Sequence, residues 1–284
     1  LKPDFVEIRR TLGEVEAILL VGGRAFVAYP YRAERPIPDD CRVYHLAASA
    51  EALGREFPAD AVALGDVGAT LNALAAALHA RISPTGARLR AECLGAAKAA
   101  AEARIRADIL AGAAARPISP DLAVLSALDA LPGGTLIASD SAATFGPVQH
   151  VMRTQPGLYF FARGGVLGCA GPAAVGASFA HEGWVAQFSG DGGAMYSPQA
   201  LWSAARHRAR VIFFVFNNAR YNVLMNVAKG LGAPNALAGR FVGMDIEDPR
   251  IDYQALAKSM GVPSTCVETP ADIEILNGDH VLCT

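Results

Sequence analysis

Residues 184–221 read WVAQFSGDGGAMYSPQALWSAARHRARVIFFVFNNARY. Trp184–Phe188 has the apolar character of a buried strand, and it runs into Ser189-Gly190-Asp191-Gly192-Gly193. Ser197-Pro198 has the form of a helix start, which predicts a helix over Gln199–Arg208. Val211–Phe216 is unbroken apolar sequence, as expected of a strand covered on both faces of its sheet. It ends at Asn217-Asn218. A strand, a helix and a second buried strand in this order predict a parallel pair. Their polar ends then share the sheet edge at which ligands bind in open parallel sheets.

The same alternation extends in both directions. Ser119-Pro120 caps a helix over Asp121–Leu131, Pro132-Gly133-Gly134 ends it, and Thr135–Ala138 is a strand closing on Ser139-Asp140. Gly168–His181 reads as a helix rich in small residues. Tyr253–Met260 is a helix stopped by Gly261, and Thr265–Val267 and Val281–Cys283 are the last strands. Together these predict a doubly wound parallel α/β domain over residues 118–284. Upstream, Val15–Val21, Arg42–Ala47 and Ala61–Leu64 read as strands. Thr70–Ile82 reads as a helix with Leu71, Leu74, Leu78 and Ile82 on one face. Residues 1–82 are too few for a complete doubly wound domain, so they are expected to be part of a second Rossmann-like domain. Residues 83–117, rich in Ala and Arg, are expected to be a helical connection.

Composition narrows the function. The 284 residues are 52% hydrophobic and 18% charged, with 25 basic and 27 acidic side chains giving a net charge of −2. Such a chain builds a core and carries no electrostatic footprint for nucleic acid or an anionic membrane. Its apolar runs are interrupted by charges, and no signal peptide opens it. The five cysteines (41, 93, 169, 266, 283) and six histidines have no metal-ligand or redox spacing. Reduced thiols in a cytoplasmic protein are the expectation.

The chemistry sits in the two polar clusters. The glycines of Gly190-Asp191-Gly192 let backbone N–H groups approach a phosphate, and the helix that follows Tyr196 is expected to aim its positive end there. Asp191 and the asparagine amides are hard oxygen donors of the kind Mg²⁺ takes alongside phosphate oxygens and water. They point to a Mg²⁺–diphosphate clamp. GDG or the asparagine pair alone is commonly just a turn; the spacing between them, 24 residues over 193–216, carries more weight.

GDG-x24-NN resembles the signature of thiamine diphosphate-dependent enzymes. The flanks agree, with AxGGxLGxAxPAAxGA over Ala162–Ala177, GDGxxxYSxxALWxAA over Gly190–Ala205, and NNxxY over Asn217–Tyr221. The chain is most similar to the branch that holds benzoylformate decarboxylase and acetolactate synthase, clearly over about 119–270 and more weakly over 1–80. The resemblance implies that Asp191 and Asn218 ligate Mg²⁺ by side chain and Arg220 by its backbone carbonyl. It implies that Gly190, Gly192, Gly193, Ala194 and Tyr221 border the cofactor, with Asp140 and Ser141 near the diphosphate. Gly165 would offer its carbonyl to the 4′-amino group, and Leu167 would support the V shape between the rings. That shape brings the 4′-nitrogen to thiazolium C2 and makes proton removal intramolecular. Tyr196, Leu224 and Met225 would line the substrate side. The implied activity is decarboxylation or carboligation of a 2-keto acid by a homodimer or homotetramer. The acetolactate synthase-like alternative raises FAD, which nothing in this chain supports.

There are departures. Gly193 follows GDG where benzoylformate decarboxylases have a serine. Ser141-Ala142-Ala143-Thr144 replaces a richer hydroxylic run. Tyr29 stands where the decarboxylase has a catalytic histidine, and Tyr29 and Tyr31 read equally as packing residues. The family's activating glutamate lies in an N-terminal domain that would precede Leu1, so no catalytic residue is assigned within these residues. The alternatives are a fragment of a chain about twice as long, a separate subunit of a split enzyme, or a non-catalytic diphosphate-binding module. The start inside an incomplete α/β domain favours the fragment.

Overall fold

The computed structural model describes residues 5–13, 15–23, 26, 35–152, 157–275 and 281–283; Tyr29 and Tyr31 lie outside them. The chain divides into two compact units, 1–97 and 98–284. In the first, helix α1 (Phe5–Leu12) precedes strands β1 (Ala17–Val21), β2 (Arg42–Ala47) and β3 (Ala61–Leu64) and helix α2 (Val67–His79). The strands form a parallel sheet in the order β1-β2-β3. Its small core comprises Leu20, Ile37, Cys41, Val43 and Phe57. Helix α2 begins three residues earlier than its apolar spacing predicts. The carboxylate of Asp66 accepts from the Ala69 amide at 2.7 Å and so caps the helix there. Helix α3 (Pro84–Ala111) follows; it has no buried residue and fills most of the expected helical connection, ending before Gly112.

The second unit carries α4 (Pro120–Ala130), β4 (Leu136–Ser139), α5 (Phe145–Val151), β5 (Tyr159–Phe161), α6 (Ala170–Ser178) and β6 (Val185–Gly190). Then come α7 (Asp191–Ala194), α8 (Gln199–His207), β7 (Val211–Phe216), α9 (Asn222–Gly230), α10 (Pro234–Leu237), α11 (Tyr253–Ser259), β8 (Ser264–Cys266) and β9 (Val281–Cys283). The six strands are parallel, in the order β5-β4-β6-β7-β9-β8. This is the doubly wound α/β fold. From β4 the chain moves to one side and from β6 to the other, so the switch point lies between β4 and β6.

Alternation along the strands builds the two covered faces. Val211, Phe213 and Val215 pack with Ala174 and Val175 of α6, Leu201 of α8 and Ala257 of α11. Ile212, Phe214 and Phe216 pack with Val124 and Ala127 of α4 and Val148 of α5. Ser119 caps α4, its hydroxyl accepting from the Leu122 amide at 3.2 Å. Helix α6 begins at Ala170 rather than Gly168, because Gly168 has φ +83° and cannot belong to a right-handed helix. Among the described residues no helix is long and apolar enough to cross a membrane.

Phe188 is wholly buried one turn of sequence before the GDG cluster, edge-on to Phe214 and Phe216 at centroid distances of 5.1 and 5.4 Å. Phe188→Ala is expected to destabilise this unit by about 3–5 kcal/mol through lost burial and the cavity left behind. Urea unfolding followed by far-UV circular dichroism measures it.

Candidate functional site

Strands β6 and β7 pair with Gly190 opposite Phe216, so Asp191 and Asn217-Asn218 leave the sheet side by side. Asp191 is buried, and its carboxylate collects backbone donors. Oδ1 accepts from the Gly192 amide at 2.8 Å and Oδ2 from the Asn218 amide at 3.1 Å. The Tyr253 hydroxyl donates to the Asp191 carbonyl at 2.8 Å and fixes the backbone beneath the carboxylate. Burial pushes the Asp191 carboxyl above its ordinary value, and the amides of residues 192 and 218–220 pull it back only in part. Burial thus favours the neutral acid here, and a neighbouring cation would favour the carboxylate.

The asparagine turn is built from its own side chains. Asn217 Oδ1 accepts from the Ala219 amide at 3.0 Å, and Asn218 Oδ1 from the Arg220 amide at 3.1 Å. Ala219 has φ +54°, which turns the chain sharply after β7. Met244 and Ile246 then clamp the turn: the Tyr221 amide donates to Met244 O and the Ile246 amide to Ala219 O. Tyr221 lies over the GDG backbone. A Cβ on Gly192 would stand 2.7 Å from Tyr221 Cε1, and one on Gly193 would stand 2.8 Å from Ser189 Oγ. Both glycines are thus required for close approach.

A short helical turn, α7, begins directly on Asp191 and contains Gly192, Gly193 and Ala194. The sequence predicts no helix there. Nor does Ser197 cap α8 as expected: Pro198 is the N-cap residue, without a side-chain cap bond. The Ser197 hydroxyl donates to the Gly168 carbonyl instead. This ties the start of α8 to the loop that carries Gly165 and Leu167. In that loop Gly164, Gly165 and Gly168 all have positive φ, which accounts for the glycine spacing. Leu167 is 36% exposed and is not a core leucine.

At the end of β4, Asp140, Ser141 and Thr144 are all buried. Asp140 accepts from three protein donors: Gly168 N at 2.8 Å, Ala170 N at 3.2 Å and the Ser189 hydroxyl at 2.6 Å. Among the described residues Ser141 Oγ and Thr144 Oγ1 find no hydrogen-bond partner. Ser141 Oγ lies beside Gly190, 3.9 Å from where a Cβ would stand. Buried hydroxyls without partners are costly and mark places where a ligand completes the bonding. Thr144, Ser189 and Tyr253 were not singled out by sequence reasoning. Thr144 had a signal, its place in the hydroxylic run, whereas Tyr253 lies 62 positions from its partner with no motif to mark it. On the outer side, Tyr196, Tyr221 and Leu224 are exposed and Met225 is half-buried. Among the described residues no three His, Cys, Asp or Glu side chains converge as a metal site. The donor set here is one carboxylate with amide oxygens, which suits a hard cation that also takes ligand oxygens.

Comparison with known proteins agrees with this geometry. Residues 144–276 match the family described as thiamine pyrophosphate enzyme, C-terminal TPP binding domain. Benzoylformate decarboxylase of Pseudomonas aeruginosa is 31% identical over 270 residues, 94% of this chain and 46% of the relative. A Mycobacterium tuberculosis protein named for the acetolactate synthase large subunit is 33% identical over 172 residues, 55% of this chain and 32% of that protein. The solved 4-hydroxybenzoylformate decarboxylase of Rhodococcus jostii superposes with a TM-score of 0.74 at 24% identity, covering 100% of this chain and 51% of that one. The chain thus spans about half the length of the decarboxylases it matches.

The loop geometry separates two glycines. A Cβ on Gly168 would collide with Tyr196 Cβ, in a backbone conformation side chains avoid, whereas one on Gly176 in α6 meets nothing. Gly168→Ala is expected to cost about 1–3 kcal/mol. Gly176→Ala is expected to gain about 0.5–1 kcal/mol through helix propensity. Paired denaturation curves check both signs. Over residues 144–276 the chain thus belongs with the thiamine diphosphate-dependent enzymes, through their C-terminal cofactor-binding domain, and along nearly its whole length it is similar to a benzoylformate decarboxylase.

Proposed function

We propose that the enzyme to which this chain belongs uses thiamine diphosphate and Mg²⁺ to decarboxylate an aromatic 2-keto acid of the benzoylformate type. The buried Asp191 carboxylate, joined to the Asn218 amide at 3.1 Å at the paired ends of β6 and β7, carries the reading. The residues fit the cofactor in three respects: hard oxygen donors, glycines at which a Cβ would not fit, and two unpartnered buried hydroxyls. In this reading Asp191 Oδ, Asn218 Oδ1 and the Arg220 carbonyl hold the metal. Ser141, Thr144 and the amides of Gly190–Ala194 face the diphosphate. Gly165 receives the 4′-amino group and Leu167 supports the bend between the rings. Tyr196, Leu224 and Met225 border the substrate, and Tyr221 keeps the Gly192 backbone in place. When bound, thiamine diphosphate supplies a carbon nucleophile for the keto carbonyl and an electron sink for the departing CO₂. This chain's share is to bind, orient and exclude water; turnover is proposed of the whole enzyme.

Acetolactate synthase-like carboligation is the second reading, favoured by the 33% identity of the Mycobacterium tuberculosis relative over 172 residues. The decarboxylase reading is preferred because its relative matches over 270 residues. We propose a homodimer or homotetramer as well, supported by the exposed Phe179, Trp202, Val227 and Leu231 on the second unit.

Calorimetric titration of the chain with thiamine diphosphate and Mg²⁺ tests the clamp. Asp191→Ala is expected to weaken Mg²⁺-dependent binding at least about 10-fold, as for a lost charge-assisted contact, with the circular dichroism spectrum retained. Equal affinity in mutant and parent overturns the assignment. Assay of the whole enzyme with a panel of 2-keto acids separates CO₂ release from carboligation. Sedimentation at tens of micromolar is expected to show a species larger than a monomer.

A further inference from the structure

We propose that Asp140 is a positioning residue: it holds the Leu167 loop against the clamp and does not contact the cofactor. The proposal rests on the cofactor reading above and reassigns a residue that sequence resemblance places beside the diphosphate. Asp140 is 2% exposed at the end of β4. One oxygen takes the amides of Gly168 and Ala170, and the other takes the hydroxyl of Ser189, the residue that precedes Gly190-Asp191 in β6. A single carboxylate thus bridges the loop after β5 to the strand that carries the clamp. Its acceptor capacity is about four sites, and three are filled by protein donors. A carboxylate turned toward a diphosphate would also repel it.

The loop needs such an anchor because its own packing does not hold it. A Cβ at Gly164 or Gly165 would meet nothing within 4 Å, and Val166 and Leu167 are exposed. What fixes the loop lies at its ends. The Ala162 amide donates to the Ser139 carbonyl at 2.8 Å. At the other end Gly168 is held on both sides, its N–H by Asp140 and its carbonyl by Ser197, with Tyr196 packed on its α-carbon. Leu167 directly precedes this double anchor. Its side chain is therefore presented by backbone hydrogen bonds rather than by a core contact. Asn at position 140 would keep the shape, its carbonyl taking the two amides and its N–H meeting the Ser189 hydroxyl, but every bond to it would become neutral, so the carboxylate is the stronger anchor.

The test compares the whole cofactor with its diphosphate part alone. The full chain, Asp140→Asn and Ser197→Ala are titrated with thiamine diphosphate and with inorganic diphosphate, both with Mg²⁺, and Asp191→Ala serves as the clamp control. Asp140→Asn is expected to weaken thiamine diphosphate about 10-fold, as three charge-assisted bonds become neutral ones, and inorganic diphosphate by less than about twofold. Ser197→Ala is expected to shift the same ratio in the same direction by a smaller factor, as for a neutral bond. Equal weakening of both ligands by Asp140→Asn, or no change in either, overturns the proposal. Hydrogen exchange gives the second readout. Peptides covering 162–170 are expected to exchange about 10-fold faster in Asp140→Asn while those covering 190–196 stay unchanged, and unchanged exchange at 162–170 overturns it. Should Asp140→Asn not fold, Ser197→Ala decides by the same two measures. If the parent chain binds neither ligand, the cofactor reading fails, and exchange at 162–170 still decides whether Asp140 anchors the loop.

Discussion

The parallel pairing of β6 with β7, Gly190 opposite Phe216, is the constraint on which the site depends. Both strands are covered on both faces. Val211, Phe213 and Val215 must meet one helical layer, and Ile212, Phe214 and Phe216 the other. A slip of one residue would exchange the two faces and strand each side chain in the wrong layer. The register is therefore fixed by the whole core, and with it the fact that Asp191 and Asn218 emerge together. Two covered strand ends also leave backbone amides without sheet partners. The Asp191 carboxylate and the asparagine side chains take these up, so the same residues that finish the sheet shape the site.

Much of this was legible in the sequence because it is local. Continuous apolar runs marked β6 and β7, and strands β2, β3, β7 and β9 fall on their expected residues. The Gly190-Asp191-Gly192 and Asn217-Asn218 clusters lie where a strand must end. What escaped lacks a periodic signal. β5 has three residues, α5 contains Gly146-Pro147, and α9 has no buried residue to give it a pattern. Ser197 was misread because Ser-Pro before a helix has the form of a cap. Its hydroxyl instead meets the Gly168 carbonyl, a partner 29 positions away that no local rule indicates. Asp140 and Tyr253 act through partners 28 to 62 positions away, and that information exists only once the sheet is assembled.

The sheet edge also gathers an unusual number of buried polar groups: Asp140, Ser141, Thr144, Ser189 and Asp191. Burying each costs free energy unless a partner is supplied. The fold meets that cost for some of them with backbone donors, which explains why the loop before α6 and the turn after β7 are so tightly specified. The glycines belong to the same arrangement. Gly193 leaves space beside Ser189 and Asp140, and Gly168 lets Tyr196 lie on the chain. A side chain at either position would push apart the groups that the buried carboxylates hold together.

Within this cluster, bonding separates groups satisfied by the protein from groups left unpartnered more sharply than sequence position does. Asp140 and Ser141 are neighbours in the chain and equally buried, yet they differ completely in their partners. Asp140 accepts from two amides and a hydroxyl, all of them the protein's own donors. Among the described residues, Ser141, beside Gly190, and Thr144 keep hydroxyls without partners. Asp191 lies between these cases: its oxygens accept amides, yet burial still raises its pKa, because amide dipoles do not replace a positive charge. A site that held a doubly charged cation and an anionic group, as proposed, would need this division. Some buried groups are satisfied before the ligand arrives so that the frame is rigid, and others are left incomplete so that binding, rather than folding, completes them.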